Sequence, residues 1–251
     1  MRIAVAGGTG CIGRLVVEAL QARGQTPVVL SRSRGVDLTA GDGLGEALQG
    51  VEAVIDVSNV NTLGAKKSIT FFEAATRTLL AAGERAGVHH HVALSIVGVD
   101  RVEFGYYRGK RRQEELVLAG PLPASVLRAT QFHEFAAQLL ARGGPLPLVP
   151  MSLNQPIAAR EVAEALVALT LGAPVGLAPE LAGPEQHTMP DLVRRLLRAK
   201  GSHRPVIPVP LPGAVGKAVA NGALLPAGPG PRGTQTFDEW LRTDARTDGW
   251  L

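Results

Sequence analysis

Apolar residues recur along this chain in two alternating rhythms. Residues 2–6, 27–30, 51–57, 92–97 and 124–128 are short apolar runs of the length expected for buried strands. Between them lie stretches with apolar positions at helical spacing. Residues 14–23 carry Leu15, Val16, Ala19 and Leu20, and residues 68–86 carry Phe71, Phe72, Ala75, Leu79, Leu80 and Ala82 before Gly87 stops the pattern. A short helix at 43–48 and a longer one at 109–119 complete the alternation. Strand and helix in turn predict an α/β fold, a Rossmann-type doubly wound parallel sheet with right-handed crossovers and helices on both faces. Ligands of such sheets lie beyond the carboxyl ends of the strands. Those ends are Gly7, Ser31, Ser58 with Asn59, Ser95, and Thr130 with Gln131.

After Thr130 the rhythm changes. Gln131, Phe132, His133, Glu134 and Phe135 open a helix, residues 143–150 form a proline-punctuated loop, and residues 157–163 start another helix. Leu181-Ala182-Gly183-Pro184-Glu185 precedes a basic helix at 190–200. Residues 205–233 are rich in proline and glycine, with a short helix at 214–225. This segment still carries Val206, Ile207, Val209, Leu211, Val215, Val219, Leu224 and Leu225, which a disordered tail would not need. It is expected to cover something apolar, either as a lid over the ligand cleft or as a static cover over a core helix. The division that follows is a Rossmann-type core at 1–135 and a smaller region at 136–251 that includes the lid or cover, interleaved with the core.

Composition narrows the classes. The 251 residues are 45% hydrophobic and 19% charged, ordinary for a chain that buries a full core. The formal charge of +4 is scattered, and only Lys110-Arg111-Arg112 forms a run, so no nucleic-acid stripe is expected. The positive balance instead favours an anionic small molecule. One cysteine, Cys11, rules out an internal disulfide framework. No signal-type apolar region precedes the first strand and no stretch reaches membrane-spanning length, so a cytoplasmic protein without membrane association is expected. Nothing in the sequence specifies an oligomeric state.

The first strand runs into Gly7-Gly8-Thr9-Gly10-Cys11-Ile12-Gly13 and then a helix. Glycines at that junction let the backbone bend, approach a pyrophosphate closely and pack the helix on the strand, while the helix amides face the anion. A dinucleotide site is expected, with a purely structural turn as the alternative. At the end of the second strand stands Ser31-Arg32-Ser33-Arg34 in place of the acidic residue that holds the ribose of NAD. A guanidinium fork and hydroxyls suit a 2′-phosphate, so NADP is favoured over NAD. A solvated basic turn would look the same. Tyr106 and Lys110 form YxxxK at the entry to a helix. This pattern reads either as a Tyr acid whose pKa the ammonium lowers, or as a core-capping Tyr beside a solvated basic face. His133, next to Phe132, lines a substrate pocket or packs in the core. His89-His90-His91 is unsuited to metal, because adjacent side chains project in different directions.

The glycine turn, Ser31-Arg32-Ser33, Gly50-Val51-Glu52-Ala53-Val54-Ile55, Tyr106-Tyr107-Arg108-Gly109-Lys110, Val126-Leu127-Arg128-Ala129-Thr130-Gln131-Phe132 and Ala159-Arg160-Glu161-Val162-Ala163 together resemble an atypical short-chain dehydrogenase/reductase of the NmrA-like NAD(P)H-binding group. The resemblance runs over nearly the whole chain. It implies a cofactor set of Gly7, Thr9, Gly10, Cys11, Ile12, Arg32, Asp37, Leu38, Ser58 and Lys110, with the adenine near Asp37 and Leu38, and a C-terminal region that builds the substrate pocket. It further implies an NADP-dependent oxidoreductase acting on a small carbonyl or quinone, or a non-catalytic NADP-binding sensor. One departure stands out: the position matched to the superfamily's catalytic Ser or Thr is Val97, and Ser95 lies two residues earlier.

Overall fold

A computed structural model describes residues 1–142, 144 and 146–247 of the chain. Apolar runs form the strands β1 (Arg2–Ala6), β2 (Thr26–Leu30), β3 (Ala53–Asp56), β4 (His90–Ile96) and β5 (Ala124–Ala129). The helices between them are α1 (Cys11–Ala22), α2 (Leu44–Ala47), α3 (Ala65–Ala86) and α4 (Gly105–Leu118). The chain continues through α5 (Glu134–Arg142), β6 (Leu148–Pro150), β7 (Leu153–Asn154), α6 (Ala159–Leu171), β8 (Gly176–Leu177) and β9 (His187–Thr188). It ends with α7 (Met189–Ala199), β10 (Ile207–Val209), α8 (Gly213–Ala220), α9 (Phe237–Arg242) and α10 (Asp244–Thr247). The expected parallel sheet is present, in the order β2-β1-β3-β4-β5-β8, and every pairing in it is parallel. Crossovers leave β1 in opposite directions toward β2 and β3, so the crevice where strand order reverses opens above β1 and β3.

Side-chain alternation divides the sheet faces. Ile3, Val5, Ile55, Val92 and Leu127 pack with Val16 and Leu20 of α1 and Val162, Leu166 and Val167 of α6. Ala4, Ala6 and Val54 face Leu44, Leu79 and Leu80 on the other side. Each fully buried Leu, Ile or Val contributes about 1.5–3 kcal/mol.

Several expected boundaries move. β3 is shorter than 51–57 because Val51 and Glu52 lead in as loop, and β4 starts at His90 rather than 92. Helix α4 starts a turn before residue 109, because glycine there serves contact rather than flexibility. A Cβ on Gly105 would lie 2.4 Å from the Leu63 carbonyl, and one on Gly109 would lie 2.1 Å from Ser68 Oγ, so these positions let α4 press against α3. The expected helix at 214–225 ends at Ala220, and the helix expected from Gln131 begins at Glu134. Of the loop expected at 143–150, residues 143 and 145 lie outside the described residues, and Leu148–Pro150 is strand β6.

The chain past residue 135 is divided between two layers. Helix α6 and strand β8 return to the main sheet, so the layer built on that sheet takes in chain well past residue 135. The smaller unit is built on α5, α7 and α9, with Trp240 and Phe237 fully buried among Leu192, Val193 and Leu196. The 205–233 segment stays out of the main sheet, although β10 pairs with β6. Its α8 packs through Val215 and Val219 on Val102, Phe104 and Tyr107. Arg101 donates to the Leu225 carbonyl at 2.7 Å, and Glu180 accepts from the Ala227 amide at 2.7 Å, fastening the segment beside the β4 end. No described helix is long and apolar enough to cross a membrane.

Candidate functional site

The turn after β1 is shaped by what a side chain would hit. Gly7 has φ 80°, and a Cβ there would lie 2.9 Å from the Val57 carbonyl, while one on Gly13 would lie 2.1 Å from the Gly7 carbonyl. The turn is thereby pressed between the β3 end and the first turn of α1. Gly10 caps that helix without a side-chain bond. Its Cβ direction is nearly open, with only the Gly7 carbonyl at 3.2 Å. The first amides of α1 belong to Cys11, Ile12 and Gly13, at the positive end of the helix dipole. Ile12 is buried in the core beneath, Cys11 is half-buried, and Thr9 is exposed. Arg14, which sequence reasoning passed over, folds back so that its guanidinium donates to the Thr9 carbonyl at 3.2 Å. Its signal was a cation directly after the last glycine of the turn.

At the β2 end, Ser31 leads into a single 3-10 turn of Arg32, Ser33 and Arg34. The Ser31 and Ser33 hydroxyls stand 3.0 Å apart beside the exposed Arg32. Asp37 is turned inward on its own loop, accepting from the Thr39 amide at 2.7 Å, the Thr39 hydroxyl at 2.6 Å and the Ala40 amide at 3.1 Å. These bonds, the Thr39 hydroxyl foremost, hold its carboxyl below the usual range. Leu38 packs on the α2–α3 side of the core and accepts from the Thr78 hydroxyl through its carbonyl.

Above β3, β4 and β5, buried polar groups lack partners. Ser58 Oγ and Ser95 Oγ have no hydrogen bond among the described residues. Buried hydroxyls are satisfied in nearly all folded proteins; Ser58, just past β3 and against Gly7, is placed to meet a polar ligand, whereas Ser95 lies within β4. Val97, matched to the family's Ser or Thr, is fully buried and supplies no hydroxyl.

Tyr106 and Lys110 share one face of α4, yet the structure does not bring their polar ends together. Tyr106 donates to Asn59 Oδ1 at 2.7 Å, across the mouth of the crevice, and its ring packs edge-on against Phe72 at 5.8 Å. Lys110 Nζ stands 4.7 Å over the Phe72 ring, donates to the Leu94 carbonyl at 2.6 Å and donates to Gln113 Oε1. The expected lowering of the Tyr106 pKa is thus corrected. Burial, helped by Tyr107, pushes the phenol well above its ordinary value, and it stays protonated. Lys110 is itself pushed down to about 8 by burial, against the attraction of Asp56 and Glu114.

The pocket role expected for His133 is also corrected. His133 is buried, its Nε2 donates to the Gln235 carbonyl at 3.1 Å, and its ring packs on Phe237 and Trp240. It is a core residue of the C-terminal unit. Phe132 is half-buried against the α1–α6 side of the core and pairs with Ile157 in an isolated bridge. The histidine run diverges as expected: His89 is exposed, His90 meets Ser125 Oγ at 2.9 Å, and His91 is buried on the opposite face.

The cradle fits a dinucleotide: a turn crowded at Gly7 and Gly13, the N-terminus of α1 behind it, and the orphan Ser58 hydroxyl at the adjoining end of β3. Residues 7–171 match a family model described as NAD(P)H-binding. Solved structures similar to this one include a short-chain dehydrogenase/reductase superfamily protein from Agrobacterium tumefaciens with bound NAD. It is 20% identical with TM-score 0.71, over 99% of this chain and 97% of that one. A UDP-glucose-4-epimerase from Stenotrophomonas maltophila with bound NAD and formylated UDP-arabinopyranose is 19% identical with TM-score 0.73, over 98% and 99%. An NAD-dependent NDP-hexosamine 5,6-dehydratase involved in tunicamycin biosynthesis is 18% identical with TM-score 0.74, over 99% and 97%. No curated protein matches the chain. At these identities the structures speak for the fold, in keeping with the short-chain dehydrogenase/reductase resemblance.

Proposed function

The chain belongs to the NAD(P)H-binding family, and from that premise we propose that it is an NADP-dependent oxidoreductase acting on a small carbonyl or quinone. The observation that carries this reading is the shared crevice. The glycine turn packs through Gly7 on the backbone of Ser58, whose hydroxyl is an orphan, and the neighbouring Asn59 accepts from the protonated phenol of Tyr106. The amides of Cys11 and Ile12 would hold the pyrophosphate, with Thr9 at the rim of the turn. Arg32 with Ser31 and Ser33 would receive a 2′-phosphate, with Arg14 as a second cation nearby. Leu38 would border the adenine, while the carboxylate of Asp37 stays in its own turn.

When bound, the nicotinamide supplies or accepts a hydride. Tyr106 serves as proton donor toward the substrate oxygen, a role that suits a phenol kept neutral by burial and favours the reduction direction. To reach the substrate it exchanges its bond to Asn59 for one to that oxygen. Turnover of NADPH with a panel of quinones and aldehydes tests this. Tyr106→Phe is predicted to lose roughly 10²–10⁴-fold in kcat, the usual contribution of a positioned acid, with NADPH affinity unchanged. Undiminished turnover in that variant removes Tyr106 from the chemistry.

Two observations favour a second reading. Val97 stands where the family resemblance expects a catalytic hydroxyl, and Tyr106 is engaged by Asn59. A non-catalytic NADP-binding sensor would bind NADPH tightly and turn over none of the panel.

A further inference from the structure

Beneath α4, away from the crevice mouth, lies a chain of buried polar groups that the proposed chemistry does not use. Asp56, at the end of β3, is fully buried, and Gln113 and Lys110 of α4 are nearly so. Asp56 Oδ1 accepts from the Ser58 amide at 2.9 Å, and Asp56 Oδ2 accepts from Gln113 Nε2 at 2.8 Å. Gln113 Oε1 in turn accepts from Lys110 Nζ, whose other bond goes to the Leu94 carbonyl. The orientation of the Gln113 amide follows from its neighbours. A carboxylate only accepts and an ammonium only donates, so the NH₂ must face Asp56 and the oxygen must face Lys110.

A buried ammonium without a nearby opposite charge loses its proton. Here the opposite charge acts at second hand, polarising the amide that Lys110 bonds to. The same carboxylate anchors Ser58, whose own hydroxyl is an orphan at the crevice. We propose that Asp56 and Gln113 are positioning residues for Lys110, joining its ammonium to the cofactor-facing end of β3 so that both respond together to a nicotinamide nucleotide in the crevice. This rests on the cofactor reading above.

The other groups around Lys110 are accounted for. From α3 the Phe72 ring meets it. From α4, Glu114 attracts it but is paired with Arg128 of β5 at 2.7 Å. From β4, His91 lies near Asp56 and is held neutral by burial, which lowers its pKa. Asp56 is therefore the carboxylate in this cluster without a cation bonded directly to it among the described residues.

The test reads Lys110 directly. Lys66, Lys67, Lys200 and Lys217 are exposed, so in protein carrying ¹³Cε-labelled lysine the buried one titrates apart from the rest. Its midpoint is expected near 8 in the ligand-free wild type. In Asp56→Asn, and in Gln113→Met, which keeps both charges but cuts the bridge, the midpoint is expected to fall by about one unit or more. The NADPH dissociation constant, measured by cofactor fluorescence across the same pH range, is expected to weaken as Lys110 loses its proton. That break is expected at lower pH in both variants. Midpoints that do not move overturn the proposal, as do variants that weaken NADPH equally at every pH, the mark of a merely structural role. A wild type that takes no NADPH at any pH contradicts the cofactor reading and the coupling, while the lysine titration separately reports the hydrogen-bond chain.

Discussion

His133 illustrates how a single residue is reassigned by its surroundings. A histidine beside Phe132 at a strand end has the local sequence of a pocket residue, and nothing local records that α9, more than a hundred positions later, closes over it. The Gln235 carbonyl accepts from Nε2, which leaves Nδ1 bare and without a partner among the described residues. Burial pushes its pKa from 6.5 down to about 4. Protonation is thus easier in the unfolded chain, so the stability this residue confers is complete above about 6.5 and is lost as the pH falls toward 4. A shift of that size is worth about 3 kcal/mol at most. Urea unfolding between pH 7 and 4 is predicted to show a steeper loss of stability in the wild type than in His133→Gln. Equal slopes would place His133 in a solvated environment. Tyr106 carries the same lesson: YxxxK was legible, but the Phe72 ring that separates the two polar ends comes from α3, nearly forty positions away.

At the scale of elements, the α3–α4 pair is where the local pattern misled. The helix expected at 109–119 starts four residues earlier, at Gly105, because tertiary contact rather than propensity decides where it begins. Gly105 and Gly109 instead mark the line along which two helices approach, and Ser68 Oγ crosses it to donate to the Tyr106 carbonyl at 2.8 Å. That approach sets the height of Tyr106 over the crevice. Gly109→Ala would force a methyl group into the Ser68 backbone and is predicted to destabilise the fold by about 1–3 kcal/mol, read as a lower urea midpoint at unchanged slope. A midpoint equal to that of the wild type would mean that the helices are not in close contact. The strands and the glycine turn were legible because apolar runs and steric need are local properties. Asp56 was not, because a carboxylate closing an apolar strand reads as the strand's polar end until Gln113 and Ser58 are seen to meet it.

Across the whole molecule, the sheet order, the family match over residues 7–171 and the basic edge at the β2 end describe one dinucleotide crevice. The chain past residue 135 divides between that layer and the α5–α7–α9 unit; interleaving was expected, but that α6 and β8 are the elements that rejoin the sheet is set by tertiary packing. The central claim is that this crevice holds NADP, with Arg32 on the 2′-phosphate. Calorimetric titration of NADPH and NADH into the wild type and Arg32→Ala tests it most directly. A hydrogen-bonded charge pair contributes about 1.5–3 kcal/mol, so NADPH is predicted to bind roughly ten- to a hundredfold tighter than NADH in the wild type. In Arg32→Ala that preference is predicted to collapse while NADH affinity stays as it was. Equal affinities in the wild type, or an NADPH preference untouched by Arg32→Ala, would contradict the account.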